Sequence, residues 1–531
     1  VLQLSARPQL RAPKLDGAVL AEPPLAAAGE LIARNRRRLG ETPGELLGRT
    51  WPDLRREARQ TALAAARRYY EATTGEPAPD PANPDSLLLA GHQPELFHPG
   101  VWVKNFALAG LARVHGVTAL NLVVDNDTVK STSLRLPSPA TAAVAWPHVI
   151  SVPFDRWTGE IPYEERPILD RQEFAGFAER ARDVLAGWDY EPLLSSFWPE
   201  VLRQTERTPL IGECFAAARR TFERRWGCRN LEVTVGDLCQ TATFAWFACH
   251  LLSELPRFHA IYNACVHDYR KSHGIRSRNH PVPDLVADGD WLETPFWAWK
   301  SDATRRGRLF ARRTPGSIEL LVGEEVWPSL PADNGEKAVA GWKAMADEGR
   351  KIRSRALSNT LYARLFPGDL FVHGIGGGKY DELTDAIIRR FYRIEPPEFI
   401  VLTATRLLPL PHFPAGPEDC HRLQRSLRDF HWNPQRHLAA ADAGLRDLIR
   451  QRNELSRREP DDKAVRRERF RTLRELTERL RAPLAGAEHR LRDELAACER
   501  QVEANEVLTR RDYSFVLYPE ETLRPFCEQF L

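Results

Sequence analysis

The sequence predicts an α/β protein: a parallel-sheet core with inserted regions, followed by a C-terminal antiparallel helical hairpin of the coiled-coil type. Three observations carry that expectation. Short apolar runs that end in glycine or acidic residues alternate with helix-patterned stretches. β-rich segments separated by basic turns interrupt the alternation. The C-terminal part then turns to Arg, Glu, Leu and Ala, with apolar residues at steps of three and four.

Taken in order, Leu25 to Leu39 and Leu54 to Tyr70 carry apolar residues at helical spacing, so the chain to about Ala72 is expected to be helical. Pro77, Pro79 and Pro81 cannot continue a helix and form a linker. Ser86 to Ala90 reads as a buried strand and runs into Gly91-His92-Gln93-Pro94-Glu95-Leu96-Phe97-His98-Pro99-Gly100. A helix is expected from about Val103 to His115, then a second strand from Ala119 to Val124, ending at Asp125-Asn126-Asp127. Strand, helix, strand is a βαβ unit, which requires parallel strands. Its ligands gather at the strand C-termini.

Residues of about 138–210, rich in Trp and Pro, read as a first insertion. Leu231 to Leu255 is expected to be helical and His259 to Ala264 a third strand. The stretch 280–345 reads as a second, antiparallel insertion, with strands at Trp297-Ala298-Trp299 and Ser317 to Val322. Leu370 to His373, a helix over 380–392 and a strand at Phe399 to Leu402 form a second βαβ unit. The core is thus 1–415 with its insertions, the helical hairpin 416–510, and 511–531 a tail that packs back on the core. In the hairpin Leu473, Leu476, Leu480, Leu484, Leu491, Leu495 and Cys498 keep one seam. Glu459-Pro460-Asp461-Asp462 separates the arms, and Pro483 is expected to kink the second one.

Charge and composition limit the function. The net charge is only +3, from 75 basic and 72 acidic residues, which argues against a general nucleic-acid coat. Arg in the hairpin is matched by Glu, which favours a solvated face or a partner helix. No apolar run is long enough to span a bilayer, and the start of the chain has no signal-peptide apolar region, so a cytoplasmic location is expected. The eight cysteines include no C-x-x-C pair, so they are expected to be mostly small buried hydrophobes rather than a zinc site or a disulfide framework.

Four groups of residues could carry chemistry. Gly91, His92 and Gln93, with Lys104 in the next helix, could hold a phosphate or carboxylate, and His92 could move a proton. The competing reading is a turn with a capping histidine. Asp125, Asn126 and Asp127 could hold an amine, a ribose or a hydrated Mg²⁺; the competing reading is an Asx turn. His373, Gly374, Gly376, Gly377, Gly378 and Lys379 form a glycine-rich strand-to-helix connection that could cradle an anion, with Asp381 holding an amine. It is not a P-loop, because Tyr380 follows Lys379; the competing reading is a flexible turn with a solvated Lys379 and helix-capping Asp381 and Glu382. The fourth group, His267 to Gly274 with Arg276, Arg278 and His280, is read as following the third strand. It could bind an acidic substrate or be a solvated loop.

The order of these pieces resembles the cysteine-adding enzymes of bacillithiol biosynthesis, the BshC family. That family has a G-Q-Q-x-G-L-F-T-G-P segment entering a helix with a Tyr-Lys; here Gly91 to Gly100 and Lys104 stand in its place. Asp125-Asn126-Asp127 is similar to the family's acidic E-D-H-D segment, and Val372 to Tyr380 to its Y-I-G-G-P-G-E segment. Leu517-Tyr518-Pro519 resembles the family's closing L-(Y/F)-P. Three departures fall in the expected site: His92 replaces a Gln, the acidic segment lacks its His, and Gly378-Lys379 replaces the P-G-E ending. The resemblance implies a Rossmann-like core, two connecting insertions, a coiled coil that can support a homodimer, and a ligase joining cysteine to glucosaminyl-malate. ATP or ADP is implied by the resemblance alone; the residues name no metal. His92, Asp125 and Asp127 are the expected catalytic residues. The alternative is a non-catalytic small-molecule-binding or assembly protein on the same scaffold.

Overall fold

The computed structural model describes residues 10–301, 303, 305–438, 443–458 and 462–531. They form two compact units. The first takes in residues up to Leu136, Ser151–Leu408 and Arg511–Leu531; the second takes in Pro137–Ile150 and Pro409–Arg510.

The first unit is built on a six-stranded, mostly parallel sheet. Its order is Val19–Glu22, Phe399–Ala404, Leu370–His373, Leu87–His92, Thr118–Val123, Leu231–Thr234. The last five strands run parallel, and Val19–Glu22 lies antiparallel on one edge. Leu87, Leu88, Leu89 and Ala90 are all buried, as a strand covered on both faces requires. From Leu87–His92 the chain moves outward through Thr118–Val123 to Leu231–Thr234. It then returns to the other side of Leu87–His92 with Leu370–His373 and Phe399–Ala404. The strand order therefore reverses between Leu87–His92 and Leu370–His373, the place where open α/β sheets take their ligands.

The opposite, N-terminal ends of these two strands are pinned. Asp369 pairs with Arg55 at 2.9 Å and Arg59 at 2.8 Å, both from helix Trp51–Thr74, and accepts from Leu87 N at 3.2 Å. This buried carboxylate fixes one end of the central strand pair and leaves the other free for a site.

Three expectations are corrected. His259 to Ala264 is not a strand but part of helix Leu255–Ser272; the strand beside Thr118–Val123 is Leu231–Thr234. Phe258, Tyr262, Cys265, Val266 and Tyr269 are buried at steps of three and four, a helical period that the short apolar run around Ile261 hides. The chain before Ala72 is not helical throughout. Helices Ala28–Gly40 and Trp51–Thr74 are present, but Val19–Glu22 is an edge strand of only 4 residues, too short for a period to register. The second insertion is antiparallel, in the order Glu325–Pro331, Ser317–Val322, Gly307–Thr314, Trp291–Lys300, Arg350–Ser354; its last strand lies beyond 345.

The tail from Arg511 joins the first unit. Phe515 N donates to Phe97 O at 2.8 Å, and the Phe515 ring packs tilted against Trp102 with ring centroids 4.2 Å apart.

The second unit contains helices Pro417–Trp432, Ala443–Arg457, Lys463–Arg481 and Ala485–Leu508. Pro483 falls in a 3₁₀ turn, Ala482–Leu484, that separates the last two. Asp462 caps Lys463–Arg481 by accepting from Ala464 N at 3.0 Å and Val465 N at 3.3 Å. Glu459, Pro460 and Asp461 lie outside the described residues. Arg469 Nε donates to Leu455 O at 2.8 Å, joining Ala443–Arg457 to Lys463–Arg481. Cys420 and Cys498 are not free thiols: they form a disulfide between helices Pro417–Trp432 and Ala485–Leu508, a pairing 78 residues apart that local spacing cannot signal. Among the described residues no helix is long and apolar enough to cross a membrane.

Candidate functional site

At the reversal of strand order, the helix after Leu87–His92 and the helix after Leu370–His373 both start at the C-terminal edge of the sheet and pack on its opposite faces. The first, Pro99–His115, carries Lys104. Lys104 is 5% exposed, and its Nζ donates to Gly91 O at 3.3 Å. A methyl group placed on Gly374 would lie 3.9 Å from that Nζ, so the ammonium sits against the start of helix Ile375–Ile387. No side chain caps that start. Among the described residues no carboxylate pairs with Lys104. Burial holds its pKa down to about 8, since a charge is disfavoured away from water. The Lys104 charge in turn helps depress the pKa of His92, His98 and His373, each of which is lowered first by burial. A buried ammonium beside three histidines that burial makes less basic, facing helix N–H groups, is an arrangement suited to an anion.

His98 and Arg511 were not singled out in the sequence. His98 Nδ1 is buried without a hydrogen-bond partner, and the His98 pKa is depressed to about 4 by burial and then by Arg511. Arg511 donates to Thr405 Oγ1 at 3.1 Å and Thr403 Oγ1 at 3.0 Å, at the end of Phe399–Ala404. Nothing local marks Arg511, because its place depends on the tail returning from far along the chain.

Beside this crevice lies a cleft of about 270 Å³. Its walls include Gln93, Asn126 and Asp127 from the sheet ends, Trp297 and Arg306 from the second insertion, and Arg355 to Asn359 at the start of helix Ala356–Leu365. Asp127 accepts from Gln93 Nε2 at 3.0 Å and pairs with Arg306 at 3.1 Å. The Arg306 and Arg355 guanidinium groups lie over the Trp297 ring, 4.5 and 4.0 Å from its centroid, which holds both in place. Sequence reasoning missed Trp297, Arg306 and Arg355 as site residues because the approach of the insertion, and of the helix start after it, to the sheet has no local signal.

The other expected residues fall as follows. His92 is buried: its Nδ1 contacts Gln93 O at 3.0 Å and its Nε2 contacts Asn105 Oδ1 at 3.1 Å. Asn105 donates to Glu223 Oε1 at 2.6 Å, as does Trp102. Glu223 pairs with Arg219 at 2.7 Å, so His92 is tied into a buried polar network. Asp125 Oδ1 accepts from Gly236 N at 2.9 Å; burial, then the Glu164 charge, raise its pKa well above the usual carboxylate range. Asp381 faces inward: it is 0% exposed and accepts from Arg364 at 2.9 Å. His373 Nε2 lies 2.6 Å from Asp381 Oδ2. Burial alone would raise the Asp381 pKa, but the His373 and Arg364 charges pull it below the ordinary value. Asp381 is thereby engaged through Oδ2 within the protein, while its Oδ1 is buried without a hydrogen-bond partner. Lys379 is exposed on the helix surface.

The glycine-rich segment is the first turn of a helix rather than a loop. A methyl on Gly377 would come within 2.8 Å of His373 Nδ1, and one on Gly378 within 2.5 Å of Val401 Cγ2. Those two glycines let the helix lie close on the sheet. A methyl on Gly91 would press on Leu122 of the next strand at 3.1 Å, so packing accounts for that glycine too. Gly376 alone faces open space.

The fourth group is not at a strand end but on helix Leu255–Ser272 and just beyond it. Asp268 pairs with Arg390 at 2.7 Å and Arg270 with Asp284 at 2.8 Å, so these charges brace neighbouring segments. Among the described residues no group of three His, Cys, Asp or Glu is placed to hold a metal ion. In comparisons with known proteins, no family model and no curated sequence matches the chain.

Proposed function

We propose that this chain is a carbon–nitrogen ligase on a Rossmann-like core, resembling the enzyme that adds cysteine to glucosaminyl-malate in bacillithiol biosynthesis. The observation that supports it is Lys104, a buried ammonium without a carboxylate partner, set against an uncapped helix start where strand order reverses. That donor set fits a carboxylate or phosphate. Amide formation depends on an activated carboxyl group, positioned reactants and charge stabilisation more than on a protein nucleophile. ATP or ADP, by resemblance only, would supply the activation. In this reading Lys104 and the first N–H groups of helix Ile375–Ile387 hold the anionic group, and Gln93 and Asp127 orient the amine. A homodimer through a C-terminal coiled-coil hairpin belongs to the same reading; Phe470 and Val465 on helix Lys463–Arg481 are 64% and 55% exposed.

One observation favours the alternative of a non-catalytic binding protein: His92 is buried and its two ring nitrogens lie against protein acceptors, Gln93 O and Asn105 Oδ1, rather than being set aside for a substrate proton. A thermal-shift panel with ATP, ADP, cysteine, malate and glucosaminyl-malate separates the readings. The ligase reading expects a shift with glucosaminyl-malate or cysteine that Lys104→Met abolishes. Absence of any shift with both compounds contradicts it.

A further inference from the structure

Asn126 holds an acceptor that the protein itself leaves unused. The residue is 4% exposed, and its Nδ2 donates to Ser354 O at 2.6 Å. A backbone carbonyl can only accept, so this bond settles which end of the amide is which. The other end, Oδ1, is buried with no hydrogen-bond partner, in a residue that lines the cleft. Ser354 immediately precedes Arg355, the N-cap of helix Ala356–Leu365, so the unused acceptor stands beside that helix start.

The helix start supplies the opposite preference. Its first N–H groups have no backbone partners within the helix, although Arg355 N at the N-cap already donates to Ser358 Oγ at 2.8 Å. Arg306, Arg308 and Arg355 line the same cleft, against only two carboxylates, Asp127 and Glu293. Glu293 is shared by Arg355 at 2.7 Å and Arg308 at 3.6 Å, while Asp127 faces Arg306. The local balance is therefore positive, and two of the guanidinium groups, those of Arg306 and Arg355, lie over the Trp297 ring. Much of the remaining wall is apolar, with Val124, Pro283 and Leu357 among its residues. A volume of about 270 Å³ is at the small end for ligand pockets, room for one small acid and not for a dinucleotide.

We infer that this cleft is a selective subsite for a small organic acid that carries an O–H or N–H donor next to its anionic group, with Asn126 Oδ1 reading the donor and the Arg355–Ser358 helix start taking the anion. Asn126 is then a specificity residue: a ligand without the donor leaves Oδ1 buried and unpaired, and is disfavoured for that reason. The assignment does not rest on the ligase reading, since it concerns binding without nucleotide or turnover.

The test is titration calorimetry on the full chain with three acids of one carbon skeleton, 3-phenylpropionate, phenyllactate and phenylalanine, and with inorganic phosphate. The expected result is that phenyllactate or phenylalanine binds at least about tenfold more tightly than phenylpropionate. Asn126→Leu should remove that difference, and Arg355→Gln should weaken all three acids alike. Equal binding of the three acids by the unaltered protein, or no binding of any, overturns the inference. So does phosphate binding more tightly than every acid and displacing them, which would make the cleft a phosphate site. Should Asn126→Leu fail to fold, the comparison within the unaltered protein decides alone. A failure here leaves the Lys104-dependent shift with glucosaminyl-malate or cysteine untouched, so the two outcomes are separable.

Discussion

Replacing Lys104 with Met should make the protein more stable at neutral pH while removing its anion site. Burial lowers the Lys104 pKa from 10.5 to about 8. At about 1.4 kcal/mol per unit, that depression corresponds to about 3 kcal/mol of unfavourable burial when the group is charged. Methionine keeps most of the stem and carries no charge, but forfeits the bond to Gly91 O, a loss of roughly 1 kcal/mol. The variant should therefore gain about 2 kcal/mol at pH 7. The pH dependence follows from proton binding. Below about pH 8 lysine is protonated in both the folded and unfolded chains, and the full gap is present. Between there and 10.5 the unfolded chain binds more protons, so the unaltered protein gains stability as pH rises and the gap closes. Urea unfolding of both proteins at pH 7 and at pH 10.5 reads this directly. A variant less stable than its parent at pH 7, or a gap that ignores pH, would refute the account of Lys104 as an uncompensated buried charge.

Other outcomes follow from the same geometry. Gly378→Ala, whose methyl would meet Val401, should lose about 1–3 kcal/mol in urea unfolding, whereas Gly376→Ala, facing open space in the same helix, should be neutral or slightly stabilising. Asp369→Ala leaves Arg55 and Arg59 without their shared partner and should lose about 3–5 kcal/mol or fail to fold; circular dichroism and denaturant titration show which. Cys420→Ser should lower the stability of the helical unit by about 3 kcal/mol without reductant and by much less with it. Thiol counting on the unaltered, unfolded protein should find six reactive cysteines before reduction and eight after.

The sheet strands that surround the crevice were readable because each pairs a short apolar run with a marked end. Leu87–His92 ends in a glycine and a histidine with prolines close behind, and Thr118–Val123 runs into Asp125 and Asp127, so strand and loop declare themselves together. Leu231–Thr234 has four residues, with one buried glutamate among them, and Val19–Glu22 is equally short; neither is long enough for a period to stand out. The glycine-rich segment was legible as unusual but not in its cause. Close helix-to-sheet contact and ligand approach both ask for glycine, and only the neighbours Val401 and His373 tell them apart. Lys104 was visible in position, yet its lack of a carboxylate partner is a property of the folded surroundings. The cleft residues Trp297 and Arg306 belong to an antiparallel insertion and Arg355 to the helix start that follows it, and nothing in their own segments says that they close over Asn126 and Asp127.

The most direct test of the central claim is a turnover measurement. The purified chain is incubated with ATP, cysteine and glucosaminyl-malate, and the mixture is read by mass spectrometry. The account predicts a new species equal to glucosaminyl-malate plus cysteine less one water, formed by the unaltered protein and not by Lys104→Met. No such species, under conditions where both compounds are shown to bind, would contradict the ligase reading and leave a binding protein in its place.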